Sequence, residues 1–552
     1  MHTKFNIYSK IRMPPVGIVS VMSQISRDER FEEVYLIDEN NYKGPSDFMG
    51  LPDHRFLQER KPVKIAMFYG GMSSSIPRML SLAQQYKRFI AVTIAGGSHV
   101  DALPKDALKS GIDIVIHGEG EETIRELMDV IVKDDEVILN HDSLCRVKGI
   151  SFLNPTGEHI FTGKRAPIDN LNSLEEVDLT LIKYLAKRWS AIPVSRGRGC
   201  NWNCEFCVVN RQYGKYKATS NHRTLNQIIR HSDMGYNYFF ITDDNFTQSP
   251  KDTIELCKMI GNFKIMFNKR INLMVQVRSE AAENDELIEA MRFAGVKTLA
   301  IGYESPLKEE LLAMSKGVTV EKLIERSRKL SRFFYLHGMF IFGYPSFADS
   351  KYRSSLSLKD RAKTYEAFFN KAKIDTVQVM NAIPLPGSHL REKLAAENRI
   401  LPLEEFGYDK YDGMFLCYDP VPEGLDPYEL HELPKVLMKR WYLGNRLTKK
   451  INYGNWMNWF YTATIGFPIE FGVFYAKRFV HNLIGRRKEK RMAILLPEQN
   501  IFKDSLLNSW HHIQKRWRNL AVKTYAGGIV RSWLREYKKS DFLARMHDYF
   551  SK

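Results

Sequence analysis

Cysteine is scarce in this sequence, with six residues in 552. So few thiols exclude a disulfide framework and are typical of a reducing compartment. The first residues, MHTKFNIYSKIRMPP, contain no apolar run of signal-peptide length. We therefore expect an intracellular, cytoplasmic protein. The chain is long enough for about three or four globular domains.

Residues 1–434 lack an excess of charge of either sign, with 57 basic and 57 acidic side chains. The net charge of +17 therefore comes from residues 435–552, which contain 24 Lys and Arg against 7 Asp and Glu. Six of the eight tryptophans also lie there. We predict a basic, aromatic, helical extension over residues 431–552. The pattern leaves open whether it is a solvated helical cap or a surface that binds a partner.

The extension also lacks an uninterrupted membrane span and a recognisable RNA-binding module. Within residues 455–491, Pro468 and Glu470 interrupt the stretch of about 20 apolar residues that a span requires. Aromatic residues followed by Arg and Lys fit a helix lying on an anionic lipid surface. We therefore predict peripheral membrane contact through this extension and expect no nucleic-acid partner.

Strand-like and helix-like segments alternate through the first 140 residues. Short apolar runs at 32–38, 63–70, 89–97 and 113–120 are typical of strands, and helix-like segments separate them. This order predicts an α/β domain with a doubly wound, Rossmann-like parallel sheet over residues 1–140. Ligands of such sheets bind beyond the carboxyl ends of the strands, in loops such as GGMSSS, AGGSH and HGEGEE.

Residues 141–190 contain a hairpin-like run, GISFLNPTGEHIF, and we place a connecting segment there. A second alternating series begins after it. Over residues 191–430, helical segments separate six strand-like runs, which predicts a full or partial (β/α) barrel. The runs are AIPVSRGRGC, YFFITDDNF, INLMVQV, TLAIGYES, FYLHGMFIFGYP and TVQVMNAIPLPG. Barrels of this kind place their chemistry in the loops that follow the strands.

Half of the cysteines lie in the loop that follows the first barrel strand. Cys200, Cys204 and Cys207 occur in GCNWNCEFC. A structural zinc site requires a fourth ligand, and the nearby downstream sequence offers only His222. Three thiolates leave one iron of a four-iron cluster open for another ligand. From these residues alone, zinc and an iron-sulfur cluster both remain open.

The spacing CxxxCxxC, with Phe206 before its last cysteine, resembles the radical SAM superfamily. TDDNF (242–246), AGVKTLAIGYES (294–305), MSKGVT (314–319), GMFIFGYP (338–345) and IPLPGSHL (383–390) resemble strand ends of the subgroup with an N-terminal cobalamin-binding domain. AGGSHVDALPKDAL and GIDIVIHGEGEET resemble that N-terminal domain. The resemblance covers about residues 10–430.

The resemblance implies that Cys200, Cys204 and Cys207 bind a 4Fe-4S cluster whose fourth iron is chelated by S-adenosylmethionine. Reductive cleavage would give methionine and a 5'-deoxyadenosyl radical, with a donor such as flavodoxin or ferredoxin supplying the electron. The resemblance also implies a set of S-adenosylmethionine contacts: Phe206, Asp243, Asp244, Asn245, Glu304 and Gly343. No side chain is assigned a catalytic role.

Simpler roles remain open for some of these residues. Asp243 and Asp244 would cap the next helix, and Glu304 would pair with a local base such as Lys316. The other three cysteines have no motif around them. We expect Cys145, Cys257 and Cys417 to be small buried apolar residues.

The histidine that commonly ligates cobalt from a DxHxxG loop is missing. The corresponding stretch, DENNYK (38–43), has Asn40 in place of His and Lys43 in place of Gly. This excludes imidazole ligation from that loop and leaves cobalamin binding without a protein ligand, or a domain that keeps the fold without the cofactor. If cobalamin binds, we expect a set of loop residues to contact it: Ser73, Ser74, Ser75, Gly96, Gly97, Gly118 and Glu119.

Cobalamin decides which reaction is predicted. With it, we expect methyl transfer to an unactivated carbon of a hydrophobic small molecule or lipid. Without it, hydrogen abstraction alone would support a radical cyclisation, an oxidation or a carbon-carbon coupling. A non-catalytic iron-sulfur scaffold or redox sensor is the remaining alternative.

Overall fold

The computed structural model describes residues 12–134, 136–347, 352–444, 527–535, 537–538 and 540–551. The chain divides into two compact units, one of residues 1–437 with 532–552 and one of residues 438–531. The predicted boundary at residue 431 therefore differs from the structure, because the last 21 residues return to the first unit. The stretch 455–491, with its predicted membrane contact, lies outside the described residues.

The α-helices with defined bounds follow in chain order. They are α1 (Val16–Ser23), α2 (His54–Arg60), α3 (Ile76–Lys87), α4 (Ser98–Ala102), α5 (Pro104–Lys109), α6 (Gly120–Ile131), α7 (His141–Leu144), α8 (Val209–Tyr213), α9 (Asn221–Asp233), α10 (Pro250–Met266), α11 (Asp285–Ala294), α12 (Lys308–Ala313), α13 (Val320–Leu330), α14 (Leu358–Lys371), α15 (His389–Ala396), α16 (Leu403–Phe406), α17 (Pro427–Lys439) and α18 (Phe542–Phe550).

The strands follow in the same order. They are β1 (Leu36–Ile37), β2 (Ile65–Tyr69), β3 (Val92–Gly96), β4 (Ile114–Ile116), β5 (Val132–Lys133), β6 (Glu136–Val137), β7 (Ile150–Leu153), β8 (His159–Phe161), β9 (Ile182–Lys183), β10 (Ile192–Val194), β11 (Gly197–Arg198), β12 (Lys217–Ala218), β13 (Tyr238–Ile241), β14 (Asn272–Val277), β15 (Val296–Glu304), β16 (Tyr335–Phe342) and β17 (Thr376–Asn381).

The first sheet has the strand order β2-β3-β4-β7-β8. Strands β2, β3 and β4 are parallel, and β7 and β8 continue the sheet in antiparallel fashion. Successive side chains of a strand point to opposite faces. Ile114 and Ile116 pack in one apolar cluster with α6, while Val115 packs in another with α3. Both faces are therefore covered, as predicted for a doubly wound sheet.

Two predictions about this domain were wrong in detail. The run 32–38 is not a strand of the sheet, because only β1 forms there and it pairs with β9 instead. The segment 141–190 is not only a connection, because its hairpin β7–β8 extends the sheet. Phe152 of β7 is 2% exposed and belongs to the main apolar cluster of the domain. The first domain therefore extends beyond residue 140.

The second sheet has six parallel strands in the order β10-β13-β14-β15-β16-β17. Each of the six predicted strand runs supplies one of them. Parallel sheets are buried on both faces and read as continuous apolar runs, as in Leu299, Ala300 and Ile301 of β15, all at most 2% exposed. No pairing joins β10 to β17 among the described residues. The fold is therefore α/β, and the barrel is partial.

The chain end packs against the segment that follows the barrel. Phe542 of α18 contacts Phe406 and Phe415 through edge-on ring packing, with centroid separations of 5.6 and 4.7 Å. Buried aromatic pairs of this kind stabilise a domain beyond their area alone. Within the described ranges, none of the helices combines the length and apolar character that crossing a bilayer requires.

The role of hairpin β7–β8 can be tested with Phe152→Ala. Removing this buried ring should lower the free energy of unfolding by about 3–5 kcal/mol, because a cavity replaces core contacts. Phe161 lies on the partner strand but is 44% exposed. Phe161→Ala is therefore the matched control and should cost less than about 1 kcal/mol. Urea unfolding followed by circular dichroism measures both, and equal losses would refute the assignment of the hairpin to the core.

Candidate functional site

The three clustered cysteines lie in one loop, residues 199–216, which we call the cysteine loop. The two-stranded ribbon β11–β12 closes its base, with Arg198 paired to Lys217 in antiparallel register. Gly199 adopts a positive φ of 82°, and a Cβ there would lie 2.6 Å from the carbonyl oxygen of Lys215. Glycine is therefore required where the loop closes on itself.

The loop brings the thiols of Cys200, Cys204 and Cys207 close enough to influence one another electrostatically. The Cys207 amide donates a hydrogen bond to the Cys204 carbonyl at 3.0 Å. Burial raises the pKa of Cys204, and it raises the pKa of Cys207 to about 12. The cations Lys316 and Arg278 act in the opposite direction on Cys204. Thiolates at this site therefore need a positively charged partner.

A site for a single metal ion has different requirements from a site for a cluster. Among the described residues, no group of three or more His, Cys, Asp or Glu side chains forms a site for one metal ion. In a four-iron cluster, by contrast, each thiolate binds a different iron. Cys257 and Cys417 are buried as predicted, but Cys145 is exposed, so the prediction for Cys145 was wrong.

A cationic group covers the loop near Cys204. The Arg278 guanidinium lies 3.8 Å from the centre of the Trp202 ring and donates to the Lys316 carbonyl at 2.8 Å. The Lys316 ammonium donates to a Glu304 carboxylate oxygen at 2.8 Å. Gly302 leaves the space that this ion pair occupies, since a Cβ there would collide with the Glu304 carboxylate. Of the two roles open for Glu304, the structure shows the pair with Lys316.

Asp243 is fully buried, and partners within the protein occupy its carboxylate. It accepts hydrogen bonds from the Tyr216 hydroxyl at 2.7 Å and the Gly197 amide at 2.8 Å, and it pairs with Arg196 at 3.4 Å. These bonds satisfy a charge that burial would otherwise disfavour. The contact between Asp243 and S-adenosylmethionine therefore stays a prediction, with these partners already on the carboxylate. The capping alternative fails, because Ser249 lies at the start of α10.

Asp244 has a different environment from its neighbour. Its side chain is solvent-exposed and, within the described chain, forms no hydrogen bond or ion pair with another residue. Enough protein nevertheless surrounds the carboxyl group for burial, assisted by Asp243, to raise the pKa of Asp244 to about 6. Asp244 lies near the cysteine loop, because its charge also acts on the Cys207 thiol.

The remaining predicted contacts of S-adenosylmethionine are Asn245, Gly343 and Phe206. The Asn245 amide bonds within its own turn, to Gln248 at 3.2 Å and Thr247 at 3.1 Å. Gly343 has a φ of +66°, and a Cβ there would lie 2.2 Å from Leu430 Cδ1, so the contact of Gly343 with adenine stays a prediction. Phe206 is partly exposed within the cysteine loop.

Ser73, Ser74 and Ser75, which are predicted to contact cobalamin, form the serine loop. Two of their three hydroxyls hydrogen-bond to other groups of the protein. The Ser73 hydroxyl bonds to His99 at 2.9 Å, and the Ser75 hydroxyl donates to the Met72 carbonyl at 2.7 Å. The Ser74 hydroxyl is buried without a hydrogen-bond partner among the described residues. Ser74 is therefore the serine of this loop that has an unused hydrogen-bonding group.

The predicted glycines differ in what approaches them. At Gly97, with φ +126°, a Cβ would lie 2.5 Å from the Gly71 amide nitrogen, so this glycine permits two loops of the domain to touch. Gly96 faces Ile116 at ordinary contact distance. Gly118, with φ +64°, faces open space. Only Gly118 therefore leaves room for a ligand.

Glu119 belongs to an ion cluster between the first domain and the cysteine loop. Its carboxylate accepts from Lys217 at 2.7 Å and from Arg198 at 3.1 Å. Arg198 also pairs with Glu121, which accepts from the Ser20 hydroxyl at 2.7 Å. The cobalamin contact of Glu119 stays a prediction, since these cations occupy its side chain in the structure. Sequence reasoning missed the cluster because its members lie about 80–100 positions apart, with no local pattern to connect them.

A cavity of about 800 Å³ runs along the free edge of β2. Residues 29–39 form one wall, and β2 and α3 form another. Apolar side chains dominate its lining: Met22, Ile25, Phe31, Leu36, Met67, Met79 and Leu82. At its polar end, His54 bonds to Glu39 at 3.1 Å and to Tyr86 at 3.0 Å. The cavity occupies the place where the predicted strand 32–38 would have extended the sheet.

The structural role of Asp243 can be tested by comparing adjacent carboxylates. Asp243→Asn leaves the buried Arg196 without its charge partner and should lower the free energy of unfolding of the apo protein by roughly 3 kcal/mol or more. Asp244→Asn removes a charge with no partner and should change it by less than about 0.5 kcal/mol. Urea unfolding measures both variants, and similar effects at the two positions would contradict the structural assignment.

Comparison with known proteins places this geometry in a family. The sequence pattern of the radical SAM superfamily matches residues 194–358. An uncharacterised methyltransferase of Pyrococcus horikoshii is 27% identical over 371 residues, 65% of this chain and 73% of that protein. The hopanoid C-3 methylase of Methylococcus capsulatus is 24% identical over 341 residues, 59% of this chain and 60% of that protein.

A solved structure extends the likeness to the fold of nearly the whole chain. The cobalamin-dependent S-adenosylmethionine radical enzyme OxsB, solved with aqua-cobalamin and S-adenosylmethionine bound, matches with a TM-score of 0.56 and 16% identity. The match covers 96% of this chain and 82% of that one. The six parallel strands, the loop of three cysteines after the first of them and the sequence match lead to one conclusion. The chain contains a radical SAM domain, which spans residues 194–358.

Proposed function

We propose that this protein is a radical SAM methyltransferase that uses a 4Fe-4S cluster and cobalamin to methylate an unactivated carbon of a hydrophobic small molecule or lipid. The observation that carries the proposal is the three-thiol loop at the carboxyl end of a parallel partial barrel. The chain contributes binding sites, orientation and electrostatics, while the cofactors carry the difficult chemistry.

Cys200, Cys204 and Cys207 would hold the cluster. The donor set fits, because the three thiols lie together in one loop and cations lie near Cys204. Lys316 and Arg278 would stabilise the thiolate of Cys204, whose pKa is raised by burial in the metal-free protein. When bound and reduced, the cluster supplies the electron that cleaves S-adenosylmethionine. A small electron carrier such as flavodoxin or ferredoxin would deliver that electron.

Asp244 is the strongest candidate among the carboxylates for contact with S-adenosylmethionine. It lies near the cysteine loop, and its side chain is not bound to another described residue. A carboxylate in a partly dehydrated cleft is stabilised by a cationic ligand. S-adenosylmethionine has two cationic groups, an ammonium and a sulfonium. Phe206 would contribute an apolar surface in the same loop.

The first domain would hold cobalamin in the cavity along β2. Its volume of about 800 Å³ is that of a cofactor site. Its apolar walls suit a ring system, and its polar end suits a ligand with a hydrogen-bonding chain. Ser74 and Gly118, near the carboxyl ends of the same sheet, supply a free hydroxyl and open space. When bound, cobalamin supplies a carrier for the methyl group. The loop 38–43 contributes no imidazole to it.

We place the apolar substrate beside three methionines of the barrel strands. Met274, Met339 and Met380 lie on three different strands, are partly exposed and alternate with buried neighbours. Flexible, polarisable methionines adapt to irregular apolar surfaces. The likeness to a hopanoid methylase supports a lipid among the candidate substrates. Contact of residues 455–491 with a membrane, and with it the cellular location, stays a prediction.

Cys204→Ala tests the cluster. After anaerobic reconstitution, wild-type protein should contain iron and acid-labile sulfide and release 5'-deoxyadenosine from S-adenosylmethionine in the presence of a strong reductant. The variant should lose the iron-thiolate absorption and this activity, because two thiolates remain for three irons. Cys145→Ala, at an exposed cysteine outside the loop, is the control and should match wild type. Zinc without sulfide in the wild-type protein would overturn the proposal, and a cluster without 5'-deoxyadenosine would favour a scaffold.

Met67→Trp tests the cobalamin site. Met67 lines the cavity from β2, so the larger indole should obstruct it. Wild-type protein should retain the visible spectrum of added hydroxocobalamin through gel filtration, and the variant should bind it at least about tenfold more weakly. Met266→Trp, at an exposed position on α10, is the control. Unchanged binding by Met67→Trp would refute the assigned cavity, whereas absence of binding by wild type would favour the cobalamin-free reactions.

A further inference from the structure

We propose that Glu119 and Glu121 of the first domain are positioning residues for the cysteine loop and act through Arg198 and Lys217. This inference rests on the proposed function, since positioning matters only if the loop binds a cluster. The two carboxylates lie at the start of helix α6 in the first domain. The two cations lie in the β11–β12 ribbon that closes the loop. We call these four residues the hinge cluster.

The two acidic side chains of the hinge cluster are almost completely buried. The side chains of Glu119 and Glu121 are each 4% exposed, and those of Arg198 and Lys217 are 17% and 16% exposed. Glu119 accepts from both cations, and Glu121 accepts from Arg198. Two negative and two positive groups leave no net charge. A buried cluster of this kind contributes little net stability but favours one arrangement of its partners.

Groups of the first domain also donate hydrogen bonds to the two acids of the hinge cluster. The Ile168 amide donates to Glu119 at 2.9 Å, and the Ser20 hydroxyl of α1 donates to Glu121 at 2.7 Å. Burial alone would raise the pKa of Glu121, yet Arg198 and the Ser20 hydrogen bond hold it below its usual range. The carboxylates therefore form a fixed, charged surface to which the loop attaches.

The cations are placed to restrain the whole loop. Arg198 and Lys217 face each other across the β11–β12 ribbon. The cysteine loop leaves the ribbon immediately after Arg198 and returns to it immediately before Lys217, and Cys200 lies two residues from Arg198. Attaching both strands to one domain fixes the two ends of the loop together. The hinge cluster therefore sets the position of the three thiols relative to the ligand-binding edge of the first sheet.

The test uses the full-length protein and a pair of substitutions that preserves net charge. Glu119→Gln with Lys217→Gln removes one cation and one anion and leaves the Arg198–Glu121 pair in place. Glu121→Gln is a second, milder variant. Glu126→Gln is the matched control, because Glu126 lies on the same helix, α6, but pairs with Arg165 of the first domain. The measurements are amide hydrogen exchange over residues 197–218, iron and sulfide content, and the electron paramagnetic resonance spectrum of the reduced cluster with and without S-adenosylmethionine.

In the double variant we expect amide exchange in the cysteine loop to accelerate by about tenfold, with the strands β13–β16 unchanged. We also expect iron and sulfide content to be retained, while the change in the resonance spectrum caused by S-adenosylmethionine is diminished. Glu121→Gln should give the same pattern to a smaller extent, and Glu126→Gln should match wild type.

Loop exchange equal to wild type in the double variant would overturn the inference, as would an equal acceleration across the whole barrel, which indicates general destabilisation. The proposed function fails separately if wild-type protein forms no cluster. In that case the exchange data still decide whether the hinge cluster restrains the loop.

Discussion

The buried ion pair between Arg196 and Asp243 is the interaction on which the site depends. It joins the end of β10 to the end of β13, and Tyr216 and the Gly197 amide complete the hydrogen bonding of the carboxylate. Dehydrating two charges is costly, and this cost is offset only when their geometry is well satisfied. The pair therefore contributes less to stability than to specificity, because it defines how the cysteine loop leaves the barrel.

Charge pairing around the loop follows a consistent pattern. Glu304 pairs with Lys316, and the two acids of the hinge cluster pair with Arg198 and Lys217. Asp244 is the exception, since its carboxylate lies near the same loop without a partner among the described residues. Functional sites commonly contain a charged or polar group that has no partner within the protein. The unpaired carboxylate and the three thiols of the cysteine loop are groups that a bound cationic ligand or metal would stabilise.

The first domain departs from an ideal doubly wound sheet in a way that creates space. Residues 32–38 have the apolar, β-branched character of a strand, but most of them form a wall that stands away from β2. The free edge of β2 then borders a cavity instead of another strand. An edge left unpaired exposes backbone groups and is normally covered. Here the same departure that made the strand prediction wrong produces the volume that we assign to a cofactor.

The sequence by itself determined the alternation of strands and helices, the six barrel strands and the loop of three cysteines. These features depend on local periodicity and on spacing within a few residues, which a single sequence displays directly. Asp243 and Asp244 are adjacent and chemically identical, so local pattern predicted one role for both. Only the tertiary structure separated them, because Arg196 and Tyr216 reach one carboxylate and not the other. Likewise, Leu430 occupies the space above Gly343, and Glu119 meets its cations across a domain boundary. Such assignments require knowing which distant side chains become neighbours, and that is decided by the folding of the chain as a whole.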